Sequence, residues 1–507
     1  MSYCCVNKSK CKPQNFSAIL VQETCFYIER LTLYTSQTIR YFCLQTELAM
    51  HRGYKDSWHQ QLRTSCHQLK LRLRQMPPYG RGLLLVSALF CCFVVYRILV
   101  YTFITDISYH TESSNCPACY GTRMCRRIHE TRVHGVEAFH YINSIVNVKN
   151  VYFGRLNGLE LVFKKLAHTD ELERVDTYLC RGGFSQCMRG SSNNNQLCVI
   201  PPSDSFQLSC DMTQAVANIS SRLTGPVSVS DVIGLSDAMQ CPSPRLVRRM
   251  VHRYRERGEF VDEHGLSVSE KFSLLYTLAV NPEPLILQMF PHGEKWPFPA
   301  YIGACGRIIA EDYAGVPLRD YFYADWRIRM KLALRLLHIA DQLTDNSAGY
   351  KLYFSDISLD NYSVQKDSLE VTINDAENIL IVDEQLLAED KNPGYDEPHH
   401  SVYDYCEHGN NCLTIDVVSL CSKTQSDFNY YALCKSLLSS SGDHDQGMTG
   451  GLLHSLPASL KQSQTIKSLA DECAKPPPNK DRFVIKDELI LVLESVIKSL
   501  TPATESF

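Results

Sequence analysis

Four polar residues in the middle of the chain have the types and spacing needed to handle a phosphoryl group. Asp356 and Asn361 stand in the pattern D-x-x-x-x-N, and Asp375 follows a short apolar run. A carboxylate near an acceptor hydroxyl can take its proton, and Asn and Asp oxygens can hold Mg²⁺ against phosphates. A lysine from a nearby strand would complete the set, and Lys164 in Leu-Val-Phe-Lys is the candidate. These residue types predict phosphoryl transfer.

The order of these residues along the chain is that of a protein kinase. The spacing of Asp356 and Asn361 matches the kinase catalytic loop, and Lys164 fits the motif V-A-I-K. Asp375, at the end of a predicted strand, stands where the metal-binding Asp of D-F-G would be. Each match is common by chance, and an acidic helix-to-strand loop is the simpler alternative. Four matches in the right order favour the kinase interpretation.

The elements predicted around these residues form an α+β, two-lobed, protein-kinase-like fold. Residues 150–154 and 159–164 read as two strands joined by a turn that contains Gly and Asn. A helix at 269–280 begins with Ser and Glu and is stopped by two prolines, and a strand pair at 301–310 leads into an acidic connector. Further predicted elements are the helices 326–343, 429–438 and 481–500, and the strand 369–373 that delivers Asp375.

A long apolar run near the N-terminus predicts a membrane segment at 83–105. It carries one charge, Arg97, and is long enough for a signal anchor, although it could equally be the core of a signal peptide. Lys and Arg are frequent before it and absent after it until Arg123, which places residues 1–82 in the cytosol and the rest in the lumen. Initiation at Met76 would make the preceding residues a dispensable extension.

Cysteine usage agrees with a luminal location. Of the 22 cysteines, eight lie in or before the apolar run and fourteen after it, an even number that predicts a disulfide framework in an oxidising compartment. Cys116 and Cys119 form a C-x-x-C that could bind zinc or act as a redox pair, but no second pair accompanies it. With Lys plus Arg at 51 against Asp plus Glu at 55, no nucleic-acid partner is expected.

Several stretches identify a known family. The run 116–127 (CPACYGTRMCRR) resembles the start of the luminal part of the divergent protein kinase domain 2 family, also called the deleted-in-autism family. The segments 147–153, 278–285, 296–298, 301–307, 373–378, 450–454 and 471–474 resemble it too, so that the similarity spans about 115–500. The resemblance implies a kinase-like fold in a Golgi-associated or secreted protein with paracrine growth and survival signalling.

The resemblance also implies residue roles and domain boundaries. Lys164 would contact the phosphates of ATP, Asp356 would be the base, and Asn361 and Asp375 would hold Mg²⁺ or Mn²⁺. The carboxylate that pairs with Lys164 stays ambiguous, with Glu270 slightly favoured over Glu283 and Glu171 less favoured. The boundaries are a luminal Cys-rich segment at 106–148, a small lobe at 149–310 with a Cys-rich insertion near 180–240, and a helical large lobe at 311–507.

Departures from the kinase pattern leave two hypotheses. Residues 154–158 offer only two glycines in place of G-x-G-x-x-G, Phe354-Ser355 replaces His-Arg, and Ala-Glu follows Asp375 instead of Phe-Gly. The first hypothesis is an ATP-dependent kinase that modifies a hydroxyl on secretory cargo. The second is a non-catalytic secreted ligand or Golgi scaffold that binds a protein receptor. Asn218 and Asn361 lie in glycosylation sequons, and a catalytic Asn361 would have to stay bare.

Overall fold

The computed structural model describes most of the chain after residue 106. The described residues are 107–134, 150–180, 225–256, 265–403, 413–440 and 450–500, with Pro77, Val86, Phe90, Phe93, Leu223 and Met448. The chain divides into two compact units, residues 1–96 and 97–507. Most of the predicted membrane segment at 83–105 and most of the insertion near 180–240 lie outside the described residues. No helix among the described residues is long and apolar enough to cross a bilayer.

A five-stranded antiparallel sheet forms the first part of the second unit, with strand order β1-β2-β3-β5-β4. The strands are β1 (Arg132–His134), β2 (Asn150–Leu156), β3 (Leu159–Lys165), β4 (Tyr301–Cys305) and β5 (Ile308–Asp312). The two predicted strand pairs are therefore confirmed. β2 and β3 are joined by a two-residue turn in which Asn157 and Gly158 both have positive φ, 53° and 84°. This pair of left-handed residues is typical of a type I′ turn, which matches the twist of the flanking strands.

One helix before the sheet and the helices between β3 and β4 supply part of the core. They are α1 (Cys125–Ile128), which precedes the sheet, then α2 (Thr169–Cys180), α3 (Val229–Val232), α4 (Pro244–Glu256), α5 (Val268–Val280) and α6 (Glu283–Met289). Helix α5 begins with a capping box between Ser267 and Glu270, and it ends at Asn281 because a proline follows. Helix α6 starts immediately afterwards, so that the prolines at 282 and 284 redirect the chain into a second helix.

Two small sheets, whose strands lie before and after helix α7 (Trp326–Thr344) in the chain, carry the polar residues of interest. Helix α7 buries its predicted apolar stripe, and Leu332 and Leu337 have no exposed surface. One sheet pairs β7 (Tyr350–Phe354) with β10 (Ile379–Asp383). The other has the order β6-β8-β9, formed by β6 (Val316–Pro317), β8 (Tyr362–Val364) and β9 (Val371–Ile373). The loops that connect such short strands lie at the surface, where binding residues are often found.

The last part of the chain is helical. It contains α8 (Glu384–Asp390), α9 (Val417–Ser422), α10 (Phe428–Leu433) continued by a π-helical turn (Cys434–Leu438), α11 (Ser463–Ala474) and α12 (Arg482–Leu500). The Arg482 side chain and the Asp427 carboxylate form an ion pair in which each side chain is 1% exposed. Because an unpaired buried charge is costly, this contact ties α12 to the start of α10.

Four disulfides cross-link the described residues, as the cysteine count predicts. They join Cys116 to Cys119, Cys125 to Cys305, Cys241 to Cys421, and Cys434 to Cys473. The C-x-x-C pair is therefore a disulfide and not a zinc site. The bridge between Cys125 and Cys305 fixes α1 against β4. This bridge and the one between Cys241 and Cys421 each join residues that are 180 positions apart, so both close long loops of the unfolded chain.

One glycine sets the course of the connector after β5. Gly315 has φ +120°, which other residues rarely adopt, and a Cβ there would lie 2.2 Å from the Val364 carbonyl oxygen. The connector can therefore pass directly over β8. This close approach brings Gly315 beside the end of β8, at Val364 and Gln365.

Candidate functional site

A cleft of about 220 Å³ lies between β2, β3 and β5 on one side and the loops around β8 and β9 on the other. Lys164 lies inside it, 9% exposed, on the strand at the centre of the sheet. Its Nζ is 2.8 Å from Glu283 Oε1 and 2.6 Å from Glu311 Oε1. It also donates a hydrogen bond to the carbonyl oxygen of Asn374. An ammonium group has three N–H donors, so these three acceptors use all of them.

The partner of Lys164 is Glu283, and the preference for Glu270 was wrong. Glu270 lies in the first turn of α5, where its carboxylate accepts hydrogen bonds from the backbone and hydroxyl of Ser267, each at 2.8 Å. The residue is therefore a helix cap, as its position three residues after a serine indicates. Glu171 has a similar role at the start of α2, because it accepts from the His168 N–H at 2.8 Å.

The cleft places two carboxylates against a single ammonium group. The side chains of Glu283 and Glu311 are 2% and 3% exposed. Burial, together with the charge of Asp375, raises the pKa of Glu283 to about 8 against the opposing effect of the Lys164 charge. Burial likewise raises the pKa of Glu311. For Lys164 burial acts in the other direction, but the two carboxylates outweigh it and the pKa lies above its ordinary value.

Asn361 and Asp375 both line the cleft, as the kinase pattern predicts. Asn361 lies immediately before β8, and its side-chain amide donates to the Asp356 carbonyl oxygen at 2.8 Å. This bond leaves the amide oxygen as the atom that could face a cation. Asp375 follows β9 by two residues, and its Oδ1 accepts the Glu377 N–H at 3.4 Å. Asp375 is half-buried, and the charge of its carboxylate acts on both buried glutamates.

Asp356 is placed differently from the other three residues. It follows β7 and is exposed, and it is not among the residues that line the cleft. Its carboxylate accepts a long hydrogen bond, 3.4 Å, from Asn378. The structure therefore joins Asp356 to the site through the Asn361 side chain, while leaving its carboxylate open to a molecule that approaches from solvent.

Two residues of the site were missed from the sequence. Glu311 was interpreted as part of an acidic connector, yet it lies within β5 and pairs with Lys164. Asn281, the residue after the predicted helix 269–280, was given no role. Its Oδ1 accepts the Glu283 N–H at 2.9 Å, and its Nδ2 donates to the Glu377 carboxylate and, at 3.3 Å, to the Leu166 carbonyl oxygen. Asn281 therefore fixes Glu283 to the segment that carries Asp375. The signal for Asn281 was present, because Asn before Pro commonly caps a following turn.

The departures from the kinase pattern have structural counterparts. Residues 154–158 comprise the end of β2 and the two-residue turn before β3, at the opposite end of this strand pair from Lys164, so they do not form a phosphate loop. The connection between β1 and β2, residues 135–149, lies outside the described residues. Ala376, which follows Asp375, is 1% exposed, and Glu377 is held by Asn281. The segment after Asp375 is thus anchored to α6. Ser355 bonds to the Asn378 carbonyl oxygen through both its N–H and its hydroxyl, each at 3.1 Å.

The residues present fit a nucleotide with a divalent cation. Glu311 Oε2 and Asn374 Oδ1 are buried in the cleft wall and have no hydrogen-bond partner among the described residues. Six acidic residues line the cleft against Lys164 and Lys165, so phosphates would need an accompanying cation. Within the described ranges no group of three or more His, Cys, Asp or Glu residues could hold a metal by itself. Mg²⁺ commonly binds one or two carboxylates together with substrate phosphates, which agrees with Asn361 and Asp375.

The fold and cleft define the chain as a protein with a kinase-like domain. A sequence profile described as "Protein-kinase domain of FAM69" matches residues 275–476. That range includes Glu283, Asn361 and Asp375, but it begins after Lys164.

Relatives extend the similarity to most of the chain. Divergent protein kinase domain 2A of Mus musculus is 38% identical over 389 residues, which are 75% of this chain and 86% of the relative. The protein of the same name from Xenopus tropicalis is 37% identical over 393 residues, 74% and 85% of the two chains. Divergent protein kinase domain 2B of Mus musculus is 37% identical over 153 residues, 30% and 34% of the two chains. The chain belongs to the divergent protein kinase domain 2 family, as its motifs indicate.

Proposed function

We propose that the cleft binds ATP with Mg²⁺ or Mn²⁺ and transfers the γ-phosphoryl group to a hydroxyl of a protein acceptor. The observation that carries this proposal is the contact between Lys164 on β3 and Glu283 on α6, in a cleft also lined by Asn361 and Asp375. A purely structural domain has no need to bury this pair beside two further metal-ligand types. In this function Lys164 orients the phosphates, while Asn361 and Asp375 hold the cation that neutralises them.

We propose that Asp356 receives the proton of the acceptor hydroxyl. Its exposed carboxylate can be reached by a protein substrate. The hydrogen bond from the Asn361 side-chain amide to the Asp356 carbonyl oxygen keeps Asp356 next to the proposed metal-binding residues. A carboxylate in this role needs to reach the hydroxyl within hydrogen-bond distance when the substrate is bound. Closure of the acceptor over the cleft would supply that contact.

The proposed setting is the secretory pathway, with the Golgi or endoplasmic reticulum lumen or the cell exterior as the site of action. The four disulfides support it, because such bonds persist in oxidising compartments and are rare in the cytosol. Residues 83–105 would attach the chain to the membrane as a type II protein, or be cleaved to release it. The acceptor or receptor would then be a luminal or secreted protein, and the chain itself would take part in paracrine growth and survival signalling.

A second candidate is a non-catalytic ligand or trafficking scaffold. The observation that favours it is the position of Asp356, which lies outside the cleft lining. Such a protein would bind its partner through the kinase-like surface and would tolerate substitution of Asp356.

A phosphotransfer assay separates the two candidates. The full-length protein is incubated with secretory cargo and radiolabelled ATP with Mn²⁺ or Mg²⁺. The kinase function predicts incorporation that is lost in Asp356→Ala and kept in Asp367→Ala, a change at another exposed carboxylate in the next loop. Equal incorporation in wild type and Asp356→Ala would refute the assignment of Asp356 as the base. If the wild-type protein binds ATP but incorporates no labelled phosphate into the cargo, the scaffold function is favoured.

A further inference from the structure

Glu311 is the buried ionisable group of the cleft that the proposed function does not use. It lies on β5, the strand that pairs with β3, whereas Glu283 lies on helix α6. Register places Lys164 beside Ile309, two residues before Glu311 on the adjacent strand. Both carboxylates therefore converge on Nζ from different elements, and the lysine has more acidic partners than it can neutralise.

The oxygen atoms of Glu311 are unequally satisfied. Oε1 is 2.6 Å from Lys164 Nζ, while Oε2 is buried in the cleft without a hydrogen-bond partner among the described residues. A buried carboxylate oxygen without a donor is costly, so the position is not explained by stability alone. Glu283, by contrast, begins a helix whose first N–H is capped by Asn281, and this capping fixes its place in the site.

The phosphates of a bound nucleotide would compete with the Glu311 carboxylate for the ammonium group of Lys164. Lys164 has no N–H left over once Glu283, Glu311 and the Asn374 carbonyl oxygen are bound. A phosphate oxygen can reach Nζ only if one acceptor is displaced. The Glu311 contact is a carboxylate–ammonium pair, and it resembles chemically the phosphate–ammonium pair that would replace it.

We propose that Glu311 is an internal competitor that occupies the phosphate-binding donor of Lys164 and thereby weakens the binding of anionic ligands. The inference rests on the proposed nucleotide function and assigns a residue that sets its affinity. Neutralising Glu311 weakens its contact with Lys164, because an amide oxygen is a weaker acceptor for an ammonium group than a carboxylate, and it removes one negative charge next to the phosphates. The uncharged part of a nucleotide does not contact this donor, so only the phosphate-bearing ligand gains affinity.

Binding measurements with two ligands test the proposal. ATP with Mg²⁺ and adenosine are each titrated into the full-length protein by calorimetry, in wild type and in Glu311→Gln. The expected result is a Kd for ATP lower by about tenfold in Glu311→Gln, equivalent to about 1.4 kcal/mol, with the Kd for adenosine unchanged within about twofold. If Glu311 had a merely structural role, the substitution would change the Kd values for ATP and for adenosine in the same direction.

Matched variants make the result specific. Asp312→Asn removes the neighbouring carboxylate on the same strand, which also lines the cleft but accepts the Ala300 N–H at 2.5 Å instead of pairing with Lys164. It is expected to change the affinity for ATP by less than Glu311→Gln does. Glu311→Met keeps the side-chain volume without polar atoms and repeats the test if the amide variant folds poorly.

The outcomes separate this inference from the function on which it depends. ATP binding by wild type that is equal or weaker in Glu311→Gln and Glu311→Met would overturn the competitor role and leave the nucleotide site standing. Equal gains in Asp312→Asn and Glu311→Gln would also overturn it, because general charge removal would then suffice. Failure of wild type and all folded variants to bind ATP at any concentration tested would overturn the nucleotide function itself, and the competitor role with it.

Discussion

Replacing Lys164 with methionine should make the stability of the protein strongly dependent on pH. In wild type one ammonium group faces Glu283 and Glu311, so one carboxylate is neutralised by the lysine and the other tends to keep a proton, as the pKa of about 8 for Glu283 indicates. Lys164→Met leaves both carboxylates buried without a cation. Each then keeps its proton in the folded state, and the variant binds one proton more than wild type does.

The magnitude follows from that extra proton. An unfolded carboxyl group titrates near its ordinary pKa of 4.5, well below the folded value. Between those values the folded variant holds a proton that the unfolded chain has lost, so its free energy of unfolding rises as the pH falls. One proton changes the difference between variant and wild type by about 1.4 kcal/mol per pH unit, or about 3 kcal/mol between pH 8 and pH 5.5. At pH 8 the variant should be less stable by about 3–5 kcal/mol, the usual cost of breaking a buried ion pair.

Urea unfolding with the disulfides intact measures this difference, with the intrinsic tryptophan fluorescence as the probe. Trp296, one of the three tryptophans of the chain, is 5% exposed. Lys165→Met is the matched control, because Lys165 is the next residue on β3 and pairs with the more exposed Glu112 at 2.7 Å. The control should lose at most about 1 kcal/mol and show no added dependence on pH between pH 8 and pH 5.5, because the Lys165 and Arg307 charges hold the pKa of Glu112 below its ordinary value and Arg307 remains in the variant. A loss in Lys164→Met that stays constant, or grows, as the pH falls would refute the account of two carboxylates sharing one lysine.

Three further predictions concern the framework around the cleft. Arg482→Met leaves the Asp427 carboxylate buried without its partner and should lower the free energy of unfolding by about 3–5 kcal/mol, as measured by urea denaturation. Asn281→Ala removes the bonds that join α6 to the segment after Asp375, so it should cost about 2 kcal/mol in the same assay and weaken ATP binding in parallel. Gly315→Ala would place its Cβ 2.2 Å from a backbone oxygen and should abolish folding or cost several kcal/mol, whereas Gly158→Ala, with no atom within 4 Å, should cost only about 1–2 kcal/mol of backbone strain. Equal thermal stability of the two glycine variants would contradict the close approach of the connector.

The parts of the fold that could be predicted are those determined by local patterns. Alternation of apolar residues and an Asn-Gly turn predict the β2–β3 pair, and a sustained stripe of leucines predicts α7. The order of Lys164, Asn361 and Asp375 along the chain predicts that they lie together in one cleft, because the same residue types occur in this order in the motifs of protein kinases. The presence of disulfides follows from the cysteine count, although their pairing depends on which elements pack together.

The parts that could not be predicted depend on contacts between distant residues. The choice between Glu270 and Glu283 turns on which helix faces β3, and Glu270 has a local partner that a capping rule explains equally well. Glu311 looks like a surface acid because its neighbour Asp312 is also acidic, and only the pairing of β5 with β3 shows that it is buried. Asn281 acts through three hydrogen bonds to residues on separate segments, which no periodicity encodes.

The central claim is that the cleft holds a nucleotide and a divalent cation through Lys164 and Asp375. The most direct test is thermal unfolding of the full-length protein titrated with ATP and Mg²⁺ or Mn²⁺, in wild type and in Asp375→Ala. A ligand present at about 100 times its Kd stabilises the folded state by about 2.7 kcal/mol, so the melting temperature of wild type should rise clearly. The account predicts this rise in wild type and its loss in Asp375→Ala. No rise in wild type, or an equal rise in Asp375→Ala, would contradict it.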